Sequence, residues 1–531
     1  MYLPSTLDSL AYRIPRMLLW LQEGRIHHLD CVDPRLNYMT PVWGLVNLPL
    51  FLWLGERSLF LTGFLSWLVS LVLFRHWALE VGIDEAKADW AAVICAATTF
   101  GVLQAASTTN DLLAAVLVLI ALNAVVMFER SGRGGDILWA ILALCLAAGV
   151  KPHFSVLVLP FVLWFWLSPS RPWRSLRWRL VPVLLPVWLL CSPVPSFVMN
   201  TLTYGSPTVM DQDPAFSGGH TLANLAAGSL MMGWSLMQPP VNPLAPWMSQ
   251  PLADIEQFLG LQSAVPRFAL VAQPVTMVEG ASLGLVSSVL MGIGLWRAFR
   301  LGKAAWRDWP LWAFGVGLTG FLLAVAKVVP GTLGRSFAGF VLCAVPLAMV
   351  GMRTLSERTL KAGAWLCLWS CAAALVFNPA RPLWPARWIH ERVRDSGRQG
   401  RAVQLLAQYV DFRDRAEVGT DLVNRIPEEE KSLGVIAGGD ESLAPLWRPH
   451  RLHRKVLLVE PDATLETLKA MPARYFILTG SGSQYFPELR RQIEADAGFQ
   501  LVEERAYLTR LSSGMQPWRL YRRVEPGVSN E

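Results

Sequence analysis

The sequence predicts a mainly α-helical, polytopic membrane protein with a small α/β domain at its C-terminal end. Three observations carry this. Apolar residues fill 53% of the 531 positions and charged residues only 16%, a balance typical of membrane proteins rather than soluble enzymes. Apolar runs approaching the roughly 17–25 residues a helical span needs recur about ten times before residue 378. Beyond Phe377 the chain turns charged, and short β-rich runs alternate with helical patterns.

Taken in order, residues 1–57 read as an external segment with interfacial helices. The run 41–55 is short and contains Pro49, so it suits an interfacial or re-entrant helix better than a span. Spans are expected near 58–79, 87–106, 109–128, 135–151, 153–169, 178–198, 274–297, 308–329, 333–352 and 360–378, with 199–273 as an external loop. Basic residues place three loops on the cytoplasmic side: Arg171, Arg174, Arg177 and Arg179; Arg297, Arg300, Lys303 and Arg307; Arg353, Arg358 and Lys361. Alternation then puts the N-terminal segment, Asn110-Asp111, Lys151, the 330–335 turn and residues 379–531 together outside. An external N-terminal segment implies a preceding helix, so a first transmembrane helix is expected to be missing from the sequence. In residues 379–531, Gly434–Ala437, Arg474–Leu478 and Phe499–Val502 read as strands and Phe486–Ala497 as a helix, an α/β pattern. No GxGxxG or P-loop marks a nucleotide site there.

The net charge of +7 follows from basic loops between spans, and no basic, aromatic platform for bases accompanies it, which excludes nucleic acid as a partner. The seven cysteines form no CxxC pair, and six lie within apolar runs, so neither a zinc site nor a disulfide framework is supported.

An ionisable residue at a membrane is a functional candidate because keeping it there is costly. Asp8 lies among Tyr12, Arg13 and Arg16. It reads either as the N-cap of a helix starting near Leu10 or as a general base for an acceptor hydroxyl. Arg16, Lys151 and Arg335 are cations near helix ends, suited to snorkelling or to clamping a phosphate; their shared face favours a lipid phosphate. Asp111, after Asn110, complements a helix N-terminus. Glu279 lies in the apolar run Val275–Leu290, where a lone carboxylate needs a partner or a role. His27, His28, Asp30 and Asp33 have loose, unspecific metal-ligand spacing, which suits a solvated interfacial loop better.

These residues assemble into motifs. Leu7-Asp8-Ser9-Leu10-Ala11-Tyr12-Arg13-Ile14-Pro15-Arg16 is followed by Arg35-Leu36-Asn37-Tyr38-Met39-Thr40-Pro41-Val42-Trp43. Then come Ser107-Thr108-Thr109-Asn110-Asp111, Val150-Lys151-Pro152, Asn200-Thr201-Leu202-Thr203-Tyr204-Gly205-Ser206-Pro207, Asn378-Pro379-Ala380-Arg381-Pro382-Leu383 and Gly438-Gly439-Asp440-Glu441. In order and spacing the chain resembles the GT-C superfamily of polyprenyl-phosphate-sugar-dependent glycosyltransferases, in the bacterial branch related to protein O-mannosyltransferases and the lipid A aminoarabinose transferase. It departs where the family's histidine after Tyr12 is Arg13, its acid after Trp43 is Gly44, and its E-D-x-A-G-N element keeps only Glu279 and Ala281.

The resemblance implies an inverting glycosyltransferase at the outer face of the inner membrane. Its donor would be a polyprenyl-phosphate-linked sugar and its acceptor a lipid, glycan or protein. Asp8 would be the catalytic base, with Arg16, Lys151 and Arg335 on the donor phosphate. Tyr12, Arg35, Tyr38, Asn110, Asp111 and Glu279 would line the substrate, and a divalent metal is left open. The rival classes are a membrane transporter or flippase and a non-catalytic scaffold. Residues 379–531 are expected to select the acceptor, held by the stiff Arg381-Pro382-Leu383-Trp384-Pro385 connection.

Overall fold

The computed structural model describes residues 3–29, 31–176, 178–208, 221–265, 268–302, 308–327, 333–395, 401–449, 452–510 and 514–524. Asp30, Arg177, Lys303, Arg307 and the 330–332 part of the turn named above lie outside them. The chain divides into two compact units, Thr40–Trp384 and Met1–Met39 with Pro385–Glu531. The divisions expected at 57 and 378 therefore fall at 39 and 384, and the N-terminal stretch packs with the C-terminal domain.

In Thr40–Trp384, five helices among the described residues are long and apolar enough to cross a bilayer: Glu56–Glu80, Asp111–Ser131, Val278–Leu301, Trp309–Lys327 and Glu357–Val376. Three bent helix pairs have the length and apolarity of a broken span or a re-entrant loop: Glu85–Ala96 with Thr99–Ala105, Trp178–Cys191 with Val194–Tyr204, and Gly334–Leu342 with Val345–Met352, bent by 73°, 56° and 57°. Among the described residues the candidate spans therefore number five, or up to eight if each bent pair is one span, against the ten expected. Gly134–Val150 and Pro152–Leu167 are helices but fall short. Pro152 closes the first of them, and at 1.5 Å per residue a 17-residue helix covers only about 25 Å of a roughly 30 Å hydrocarbon layer. Val42–Leu54 is a 13-residue helix that is shorter still.

Small residues set the packing. A Cβ on Gly351 would sit 1.8 Å from the Gly294 carbonyl oxygen, and one on Gly294 would sit 2.5 Å from that of Ala348. Leu285–Leu301 and Val345–Met352 therefore touch backbone to backbone, the close approach that small residues permit between membrane helices. The break at Ala97-Thr98 is satisfied internally, as a bilayer demands. Thr98 caps Gly101 N at 2.9 Å, Thr99 N and Phe100 N donate to Leu283 and Ser282 carbonyls at 3.1 and 2.7 Å, and Ser287 Oγ donates to Ala97 O at 3.1 Å.

The expected external loop 199–273 is not a loop throughout. It holds the helices Thr221–Leu236 and Ala245–Leu259. The first packs into the bundle: Gly228 lies against Val325, and Asn224 Nδ2 donates to Ala326 O at 3.1 Å.

The other unit carries a five-stranded sheet: β1 (Ser432–Ile436), β2 (Lys455–Leu458), β3 (Tyr475–Leu478), β4 (Phe499–Arg510) and β5 (Gly514–Arg523), in the order β2-β1-β3-β5-β4. β1 pairs in parallel with β2 and β3, while β5 runs antiparallel to β3 and β4. Three of these strands sit where alternation placed them. β2, only four residues long, and β5, which carries Pro517 and three arginines, do not announce themselves. Phe476, Leu478, Leu489, Ile493 and Tyr521 fill one face of the sheet.

Candidate functional site

Two groups of predicted residues come together, one in each unit. In Thr40–Trp384, Asp111 is the first residue of the Asp111–Ser131 helix, Lys151 ends Gly134–Val150, and Arg335 opens the Leu333–Leu342 helix. Lys151 Nζ lies 2.8 Å from Asp111 Oδ1, and Arg335 Nε lies 3.6 Å from Asp111 Oδ2. The side chains are 15%, 8% and, for the aspartate, 1% exposed, so two cations and one carboxylate share a nearly dry space. Asn110 Nδ2 donates to Val150 O at 3.0 Å, tying the start of one helix to the end of the other. That bond gives Asn110 a structural task. His153, which the motifs did not flag, stacks on Phe337 at 5.1 Å and meets Ser336 O at 2.9 Å. Its only sequence signal is its nearness to Lys151.

Glu279 lies at the very start of the candidate span Val278–Leu301 and not at its middle. It sits half-buried in a short 3-10 turn, Val278–Gly280, ahead of the Leu285–Leu301 helix. The apolar run that seemed to enclose it is interrupted by Gly280 and Gly284, the latter at φ +85°.

In the other unit, Asp8 occupies the N-cap position but makes no capping bond there. It pairs instead with Arg13, Nη2 to Oδ2 at 3.2 Å. The Tyr12 ring lies beneath two guanidinium groups, Arg13 at 5.4 Å and Arg35 at 5.2 Å, contacts worth about 0.5–2 kcal/mol each. Arg35 grips Asp33 with two bonds of 2.9 and 2.6 Å and also pairs with Asp440. Burial works against its charge, but the Asp33 hydrogen bond and the charges of Asp33 and Asp440 outweigh it and push the guanidinium up. Asp440 itself has φ 65°, the left-handed region that Asp tolerates better than most residues, and its N–H reaches Asp33 Oδ2 at 3.1 Å. Arg35 is therefore a clasp between Asp33 and the loop after β1. The carboxylate of Asp33, once a loose metal candidate, is taken up by it.

Arg16 donates to Met39 O and lies 5.2 Å from the Trp20 ring. Burial lowers it to about 10, so it stays cationic near neutral pH. Tyr38 is half-buried at the end of the Arg35–Tyr38 helix. Among the described residues no three His, Cys, Asp or Glu side chains are grouped to hold a metal ion.

Gln22 had no motif to mark it. Its amide accepts from Val456 N–H at 2.9 Å and donates to Val456 O at 3.0 Å, imitating a neighbouring strand along the exposed edge of β2.

No protein-family model matches the chain, and no curated protein matches its sequence. Among solved structures it is similar to ArnT from Cupriavidus metallidurans bound to undecaprenyl phosphate, over 100% of this chain and 96% of that one, with TM-score 0.51 and 12% identity. The apo state of the same ArnT is matched over 97% and 94%, with TM-score 0.48 and 13% identity. The chain thus shares the fold of that ArnT, a mainly α-helical polytopic membrane protein with a strand-bearing C-terminal domain.

Proposed function

We propose that the chain is an inverting glycosyltransferase. It moves a sugar from a polyprenyl-phosphate-linked donor to an acceptor hydroxyl at the outer face of the inner membrane. The observation that carries the reading is the buried group in which Lys151 and Arg335 both approach Asp111, in a fold shared with a protein bound to undecaprenyl phosphate. Two cations brought together with little water around them suit a phosphate, whose attraction is strengthened at low local dielectric.

In the reaction the acceptor oxygen attacks the anomeric carbon as the bond from that carbon to the phosphate oxygen breaks. The hydroxyl proton passes to Asp8, and the electron pair leaves with the polyprenyl phosphate, whose new charge Lys151 and Arg335 offset. Phosphate is a good leaving group, so one base and two cations suffice. Tyr38 and Glu279 are assigned as sugar contacts. The acceptor, whether lipid, glycan or protein, meets the sheet domain first in this reading.

The test supplies radiolabelled pentosyl and hexosyl undecaprenyl phosphates to membranes carrying the full chain. Label should reach the lipid, glycan or protein fraction, and Asp8→Asn should abolish that transfer while leaving the protein folded. Undiminished transfer by the variant rules out Asp8 as base.

The three bent helix pairs favour a second reading, since broken helices are common in transporters. Movement of a labelled lipid phosphate across reconstituted vesicles, without any chemical change to it, would support that one.

A further inference from the structure

Residues Ser9–Arg13 form a π-helical turn in an otherwise α-helical stretch, and Pro15 explains it. An α-helix needs an N–H at position 15 for the Ala11 carbonyl, and proline has none. The ladder widens just ahead of it, so that Ile14 N–H reaches the Ser9 carbonyl, five residues back. In that wider register the donor to Leu10 O would again be position 15. The Leu443 N–H, from the loop following β1, reaches Leu10 O at 3.0 Å instead.

The widened turn changes which side chains are neighbours. On an α-helix, residues five apart are rotated by about 140° and face away from each other. Here Asp8 and Arg13 meet at 3.2 Å, with Arg13 2% exposed and Asp8 22%. Arg13 is held further by the Tyr12 ring, which Arg35 also contacts, and Arg35 is itself fixed by Asp33 and Asp440.

We propose that Arg13 is a positioning residue for sugar transfer: seated by the π-helical turn, its guanidinium fixes the plane of the Asp8 carboxylate against the acceptor hydroxyl. The inference rests on the reading of Asp8 as base. Its physical content is orientation, because a base that must first find its angle loses the advantage of a prearranged geometry. Arginine stands where the resembling family has histidine, and the exchange matters. A guanidinium presents a planar fork of N–H donors to a carboxylate, which an imidazole ring does not. The turn that seats Arg13 is in turn held by the domain loop through Leu443. This makes the C-terminal domain part of the machinery that aims the base.

The experiment uses the full chain in membranes, with radiolabelled pentosyl and hexosyl undecaprenyl phosphates as donors and undecaprenyl phosphate binding as the control for folding. Arg13→Gln should lower kcat roughly 100-fold, leave KM for the donor within about twofold, and move the acid limb of the pH profile upward as the carboxylate loses its cation. Arg13→Lys should recover the pH profile but only part of kcat. Pro15→Ala, which restores the missing N–H and favours the α register, should lower kcat in the same manner. If Asp8→Asn is inactive while Arg13→Gln keeps wild-type kcat and pH profile, the positioning role is overturned. If Asp8→Asn is active, the failure lies in the underlying assignment of the base. Loss of undecaprenyl phosphate binding along with transfer in both Arg13→Gln and Pro15→Ala would also overturn the proposal, in favour of a purely structural turn.

Discussion

Asp111 and Lys151 form a buried ion pair, Oδ1 to Nζ at 2.8 Å, with the carboxylate only 1% exposed. Arg335 approaches the other carboxylate oxygen at 3.6 Å. Removing this acid deprives two buried cations of a shared partner, which costs about 3–5 kcal/mol. Asp111→Asn should therefore lower the thermal unfolding midpoint of the detergent-purified protein. Its affinity for undecaprenyl phosphate should be equal or tighter, because the phosphate then replaces the lost charge.

The cations should respond in the opposite way. Lys151→Met and Arg335→Met each remove one charge-assisted contact worth about 1.5–3 kcal/mol. Undecaprenyl phosphate binding should weaken by roughly tenfold or more in each, while the protein stays folded, since Asp111 keeps one partner. Binding unchanged in both variants would place the phosphate elsewhere.

Gln22 is predicted to matter out of proportion to its chemistry. It makes two bonds to the Val456 backbone, and Trp447 Nε1 donates to the same amide oxygen at 3.4 Å. Gln22→Glu removes the donor and sets a negative oxygen against the Val456 carbonyl, a loss of about 1–3 kcal/mol. Hydrogen exchange at Val456 should quicken in that variant and remain slow at Val435 on the inner strand.

The crossing of Gly351 over Gly294 should tolerate no side chain. Gly351→Ala puts its new Cβ within 1.8 Å of the Gly294 carbonyl oxygen. The two helices must then separate, at about 1–3 kcal/mol or more. A reduced yield of folded protein from membranes is the measurement, and Gly292→Ala, where a Cβ meets nothing within 4 Å, is the control.

Acid should loosen the far end of the sheet domain first. Asp496 accepts from Lys469 and from Gly498 N–H, and Glu503 accepts from Arg505; these bonds hold both carboxyls below the usual range. A carboxyl depressed on folding contributes stability above its unfolded value, near pH 4, and loses it as pH falls through the lower folded value. Hydrogen exchange across 496–505 should quicken below about pH 4, and Lys469→Gln should blunt the portion that depends on Asp496.

Much of the membrane part was legible in the residues because burial in lipid acts on each segment separately. A run such as Asp111–Ser131 must satisfy its own backbone bonds wherever it lies, so its hydropathy alone marks it. Proline and serine boundaries, such as Lys151-Pro152, were visible for the same local reason. The short helices Gly134–Val150 and Pro152–Leu167 misled the count because composition does not report length against a bilayer. The helix Thr221–Leu236 escaped because its apolar face is chosen by Val325 and Ala326, far along the chain.

The site divides along the same line. By itself the sequence determined that Asp8, Lys151 and Arg335 are ionisable groups beside apolar helices, and that Pro15 cannot close an α-helical ladder. It could not determine their partners. Asp111 finds its two cations on separate helices, Leu10 finds its donor at Leu443, and Arg35 finds Asp440 on the loop after β1. Those pairings belong to the tertiary structure because a buried charge or carbonyl takes whichever partner the packing of the surrounding elements delivers, and that packing is a property of the whole chain.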